Sequence, residues 1–116
     1  MSLQSTLLQP NASLKDAIAL LEATDEGIVL VVTDNNILLG TITDGDIRRS
    51  LLAGLNLDVQ IKEVMKADMI VLNEKEENLY NKAVHLMNKN NIRRIPVLDE
   101  IGRVVNLITD EDFNEF

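Results

Sequence analysis

The sequence predicts an α+β fold made of one unit written twice, and three observations carry that prediction. A single ungapped shift of 66 positions takes Ile42, Thr43, Asp44 and Asp46 onto Ile108, Thr109, Asp110 and Asp112, and Ala17, Leu20 and Val31 onto Ala83, Leu86 and Val97. Within each copy, apolar residues at helical spacing give way to short apolar runs bounded by turn residues, which is helix followed by strands. At 116 residues and 46% apolar composition the chain can bury a core, yet a unit of about 55 residues is marginal alone, so the copies are expected to pack together.

Each copy begins with a short extended lead. In the first, Ser13 can cap a helix with Asp16 in a box-like position, and Leu14, Ala17, Ile18 and Leu21 form its buried stripe as far as about Ala23. The run "GIVLVV" (27–32) is apolar on both faces and reads as a buried strand. "TDNN" (33–36) has the chemistry to turn the chain back into "ILLGTI" (37–42). A helix starts at Asp44, after Thr43, and ends at Gly54. The stretch 56–65 reads as an ordered connector with one helical turn near Ile61 to Met65. The second copy repeats the pattern with Tyr80, Ala83, Val84 and Met87 on its helix, "IPVLD" as a strand, "EIG" as the turn and "RVVNLI" as the return strand. Pro96 suits a point where a neighbouring strand does not need its N–H. The organisation is therefore a first repeat over 1–55, a connector over 56–66 and a second repeat over 67–116.

Composition excludes several functions. A net charge of −8 opposes a nucleic acid backbone, and aromatic residues at 3% leave almost no base-stacking platform. No apolar run is long enough to span a bilayer. There is no cysteine, hence no disulfide framework and no thiol nucleophile, and the first residues lack the pattern of a signal peptide. A cytoplasmic location without membrane or nucleic acid partners is the expectation. His85 has no second ligand at metal spacing, and Met65, Met69 and Met87 read as core or seam fillers. The acidic pairs Asp44 with Asp46 and Asp110 with Asp112 do not make a protein-only magnesium site, because that ion keeps water and phosphate in its shell. No catalytic constellation is present, so no enzyme activity is expected of this segment.

The strand-to-helix junction "TITDGDIRR" carries the functional signal. Free N–H groups and the dipole at a helix start favour an anion, although Thr and Asp also stand at such places as plain caps. Arginines cluster nearby: Arg48 and Arg49 after the first junction, Arg93 and Arg94 before the second copy's central strand. A guanidinium fork suits phosphate, and only one member of each pair is expected to face a site.

These residues resemble a known family, the cystathionine-beta-synthase (CBS) domain pair, or Bateman module. The resemblance rests on Leu14-x-x-Ala17 and Tyr80-x-x-Ala83, on "IRRIPVLDE" (92–100), on "GTITDGDIRR" (40–49) and on "ITDEDF" (108–113), and covers nearly the whole chain. "TITDGDIRRSLLAGL" followed by "EVM" is similar to the pairs that precede a sugar-phosphate nucleotidyltransferase domain, and also to those at the end of sugar-phosphate isomerases.

The resemblance implies two β-α-β-β-α repeats packed with pseudo-twofold symmetry around two clefts that take adenosine-containing ligands such as AMP, ADP, ATP or another adenosyl compound. It assigns ribose to Asp46 and Asp112 and the first phosphate to Thr43 and Thr109, with Arg48, Arg49 and Arg94 as further ligand-binding candidates. The base would lie against the segments before Val29 and before Ile95. The second copy departs from the family pattern in having Asn106 where the first has Gly40, a position that in the family permits close approach, and in its shortened last helix. The chain is thus expected to be a piece of a longer protein, a nucleotide sensor that modulates a downstream catalytic domain and pairs as a homodimer through its helices. The alternative is a ligand-free dimerisation scaffold.

Overall fold

In the computed structural model, which describes residues 3–113, the fold is α+β and each copy builds its own three-stranded sheet. Two compact units result, Met1–Met69 and Ile70–Phe116. Among the described residues no helix is long and apolar enough to cross a membrane.

The first unit runs through a 3-10 turn (Leu3–Thr6), β1 (Leu7–Leu8), α1 (Leu14–Ala23), β2 (Val29–Val32), β3 (Leu38–Ile42) and α2 (Asp44–Leu52). β2 is central, parallel to β1 and antiparallel to β3, with Val29 opposite Ile42 and Leu30 opposite Thr41. All of β2 is buried, which is why its sequence is apolar at successive rather than alternate positions. The predicted capping box forms: Asp16 N–H donates to Ser13 Oγ at 3.1 Å and Ser13 N–H donates to Asp16 Oδ2 at 3.0 Å. Leu14 and Ala17 then fall on the buried face, packed with Val29, Val31, Ile42 and Ile47. In the hairpin turn Asn36 takes a left-handed φ of 66°, and the Thr33 hydroxyl accepts from the N–H groups of Asn35 and Ile37.

The connector stays on the first unit. Leu14 N–H donates to Val59 O at 2.9 Å and Lys15 N–H to Leu57 O at 3.0 Å, so the connector satisfies donors that α1 cannot pair within itself. Its 3-10 turn, Ile61–Glu63, drives Ile61 fully into the core. Lys66 then pairs with Thr41 on the open side of β3, each N–H donating to the other's carbonyl at 2.9 and 3.0 Å. Gly40 is what lets this happen: a Cβ there would lie 2.7 Å from Met65 Sδ and 2.9 Å from Lys66 O. The close approach at Gly40 is therefore made by the connector.

The second unit repeats the order with β4 (Leu72–Asn73), α3 (Leu79–Asn90), β5 (Arg94–Leu98), β6 (Val104–Thr109) and a 3-10 turn (Asp110–Phe113). β5 is central, and β4 meets it only at Val97 and Leu98, so Pro96 precedes the parallel contact. Both hairpins carry a bulge at the same place, Val31/Val32 and Val97/Leu98. α3 begins after Asn78 and ends before Asn91, both with left-handed φ, of 55° and 54°. Tyr80, at the place Leu14 holds in the first copy, is 48% exposed. Its ring meets Phe113 edge-on at 5.8 Å, at the positions of Leu14 and Ile47 in the first copy.

Candidate functional site

The first junction is built by β3 handing the chain to α2. Thr43 is the last extended residue, with φ −121° and ψ 172°, and Asp44 opens a helix of nine residues. Thr43 N–H donates to Asp46 Oδ2 at 2.9 Å, and the Thr43 hydroxyl donates to the same oxygen at 3.1 Å. Arg49, one helical turn on, folds back so that its Nη2 reaches Asp46 Oδ1 at 2.9 Å. Its guanidinium passes over Gly45, where a Cβ would stand 3.1 Å from Arg49 Nη1. Asp46 is consequently well enclosed, its side chain 14% exposed, whereas that of Arg49 is 72% exposed. A carboxylate offers about four acceptor positions, so Asp46 retains acceptor capacity beyond these three bonds, and the Thr43 hydroxyl can rotate.

The structure thus brings Thr43, Asp46 and Arg49 together. Arg48 is exposed and takes no part in that cluster. Just before β2, Ile28 stands across from Thr43 when the antiparallel register of Val29 with Ile42 is extended by one residue, and it is 5% exposed. Sequence reasoning placed a wall "before Val29" without naming this residue. Nor did it find the cover that Arg49 forms over Gly45, although the i, i+3 spacing of Asp46 and Arg49 was the available signal.

At the second junction Thr109 N–H donates to Asp112 Oδ2 at 2.8 Å, the same first contact as between Thr43 and Asp46. The surroundings differ. Arg94 is the register partner of Thr109, where the first copy has Ile28, and it is half-buried. Arg93 reaches Asp110 Oδ2 at 3.8 Å, and Asp110 N–H donates to Arg93 O at 3.0 Å. Asp112 is exposed, and Glu111 replaces Gly45. A hollow of about 380 Å³ opens beside this junction, walled by Val84, Met87, Ile92 and Phe113 with Arg93 and Asp110 at its edge. Neither Thr109 nor Asp112 lines it. His85 is exposed on α3.

Comparison with known proteins agrees with this architecture. The family model described as "CBS domain" matches residues 1–53 and 61–116. The arabinose 5-phosphate isomerase GutQ of Salmonella typhi is 34% identical over 101 residues, 87% of this chain and 31% of the relative. An uncharacterized protein of Methanocaldococcus jannaschii is 35% identical over 106 residues, 90% of this chain and 33% of its own length. The chain therefore spans about a third of the length of these curated relatives. Among solved structures, the CBS domain pair of protein MJ0100, in complex with 5′-methylthioadenosine and S-adenosyl-L-methionine, has a TM-score of 0.79 at 29% identity, covering 93% of this chain and 87% of that one. A CBS domain protein of Pyrobaculum aerophilum complexed with AMP has a TM-score of 0.82, covering 96% of this chain and 84% of that one; at 18% identity it shows the fold.

Proposed function

The chain belongs to the CBS domain family, with two copies in tandem, and on that basis we propose that it is a regulatory module that binds an adenine nucleotide or related adenosyl compound. The observation that carries this reading is the first junction, where an enclosed Asp46 stands at the start of α2 with Thr43 and Arg49 against it. The donor set fits the ligand class. Asp46 has acceptor capacity for ribose hydroxyls, and the Thr43 hydroxyl and the first-turn N–H groups of α2 suit a phosphate. Arg49, already over Gly45, would give that phosphate a cation on its other side. The ligands of the MJ0100 pair, at 29% identity, support the adenosyl class.

The module modulates rather than catalyses. Its attached domain is a sugar-phosphate enzyme: the isomerase relatives support an isomerase, while "TITDGDIRRSLLAGL" followed by "EVM" is similar to the pairs of nucleotidyltransferases and of isomerases alike. A ligand acts through its difference in affinity for two arrangements, commonly about 1–3 kcal/mol of coupling. The test is thermal unfolding with AMP, ADP, ATP, 5′-methylthioadenosine or S-adenosylmethionine. At least one of these raises the Tm progressively with concentration, as linkage requires, and the rise disappears in Asp46→Ala. That variant also loses a cap, about 1 kcal/mol, so the ligand-induced shift and not the absolute Tm is the readout.

A second reading has its own observation: Leu51, Leu52 and Leu55, at and after the end of α2, are 43%, 87% and 38% exposed. Such leucines favour a self-associating scaffold. A flat panel of Tm values with a concentration-dependent mass would establish it in place of the sensor.

A further inference from the structure

The chain has no cysteine and four methionines, so its sulfur chemistry with oxidants rests on thioethers alone. We propose that Met65 is an oxidation site, and that its conversion to the sulfoxide by a peroxide loosens the connector from β3. The inference stands apart from the ligand reading above.

Met65 is placed where a sulfur is both reachable and consequential. It is half-buried, and Lys66, Ala67 and Asp68 after it are exposed, so solvent comes up to the connector here. Its inner side packs on the core that holds Ile42 and Ile61. A Cβ on Gly40 would lie 2.7 Å from Met65 Sδ and 2.8 Å from its Cγ, so the thioether lies directly on the strand backbone. The next residue, Lys66, makes the backbone pair with Thr41, and that pair is an isolated bridge with no adjoining rung. The apolar seal of Met65 over Gly40 is therefore a main support of the bridge. The other methionines differ. Met87 is 7% exposed and shielded within the second unit's core, Met69 is half-buried but packs on neither core, and Met1 lies outside the described residues.

The step is a two-electron oxidation. A sulfur lone pair attacks one oxygen of hydrogen peroxide, the S–O bond forms as the O–O bond breaks, and the other oxygen leaves as water with both protons. The flexible apolar side chain becomes a polar sulfoxide that prefers water to the face of a strand, and the seal is lost. Methionine sulfoxide reductases reverse it.

The whole folded chain, treated with hydrogen peroxide, tests this by peptide mass, amide hydrogen exchange and urea denaturation. Met65 should gain one oxygen before Met87 does. The oxidised chain should then lose about 0.5–1 M from its urea midpoint, and the Thr41 and Lys66 amides should exchange about tenfold faster. Met65→Leu keeps an apolar group of similar volume and all the other methionines, and should lose both responses to peroxide. Should leucine disturb the fold, reduction of the oxidised wild-type chain by methionine sulfoxide reductases is the second measurement, and it should restore both values. A folded chain in which Met65 resists peroxide, an oxidised Met65 with unchanged exchange at Thr41 and Lys66, or the same fall in Met65→Leu would overturn the inference.

Discussion

Thr24, which caps the C-terminal end of α1, is 8% exposed, and its hydroxyl is a buried side-chain polar atom without a hydrogen-bond partner among the described residues. A buried hydroxyl without a partner costs stability, and the nearly isosteric valine removes the cost without opening a cavity. Thr24→Val is expected to raise the urea midpoint, by about 1 kcal/mol of stability. A lowered midpoint would mean that the hydroxyl serves a partner. At this scale the sequence was partly legible. The Ser13–Asp16 box was readable because capping is local, settled by residues three apart. The enclosure of Asp46 was not, because it depends on which rotamer Arg49 adopts.

Element by element, the strands and helices followed their patterns, because β2 is continuously apolar and α1 has a helical stripe, and neither can bury that surface otherwise. The boundaries moved by a residue or two at the hairpins: the predicted "IPVLD" and "RVVNLI" became Arg94–Leu98 and Val104–Thr109. What the sequence hid was the path of the connector. Its pairing with β3 is a contact between residues 25 apart, Thr41 and Lys66, and no local periodicity reports it. The Gly40/Asn106 difference records it once the structure is known. Asn106 is exposed on β6 and its side chain accepts from Leu107 N–H at 2.8 Å, whereas Gly40 faces Met65 and Lys66. Gly40→Asn should therefore cost about 1–3 kcal/mol, because the Lys66 carbonyl is backbone and cannot step aside as a side chain could. Asn106→Gly should cost less than about 1 kcal/mol. Comparable losses in the two variants, measured by urea denaturation, would refute this account of the glycine.

Across the whole molecule, carboxylates that clamp loops and helix starts tie stability to pH. The Ser13 N–H and hydroxyl hold Asp16 below its ordinary value of 3.8. The Asn73 N–H, with the Lys82 ammonium, holds Glu76 below 4.5. For Asp99, desolvation pushes upward, but the Arg103 N–H and guanidinium and the Ile101 N–H outweigh it, and the carboxyl falls below 3.8. A depressed folded-state pKa stabilises fully above the unfolded value and ceases to do so as pH falls through the folded one. The urea midpoint should thus be insensitive to these groups above about pH 5 and should fall below about pH 4, less steeply in Asp99→Asn. A midpoint flat to pH 3 would contradict the assignment. These groups lie in both units, Asp16 in the first and Glu76 and Asp99 in the second, so neither is exempt from acid.

The attachment of residues 56–66 to β3 and α1 also decides where the polypeptide can be divided. A fragment cut at the boundary that the repeat pattern suggests, near residue 55, would lose Ile61 from its core and leave a void there. It would also bare the N–H and C=O groups of Thr41 along β3, a raw sheet edge of the kind that recruits other strands into aggregates. Carried on through Met69, the same fragment keeps its core filled and that edge closed.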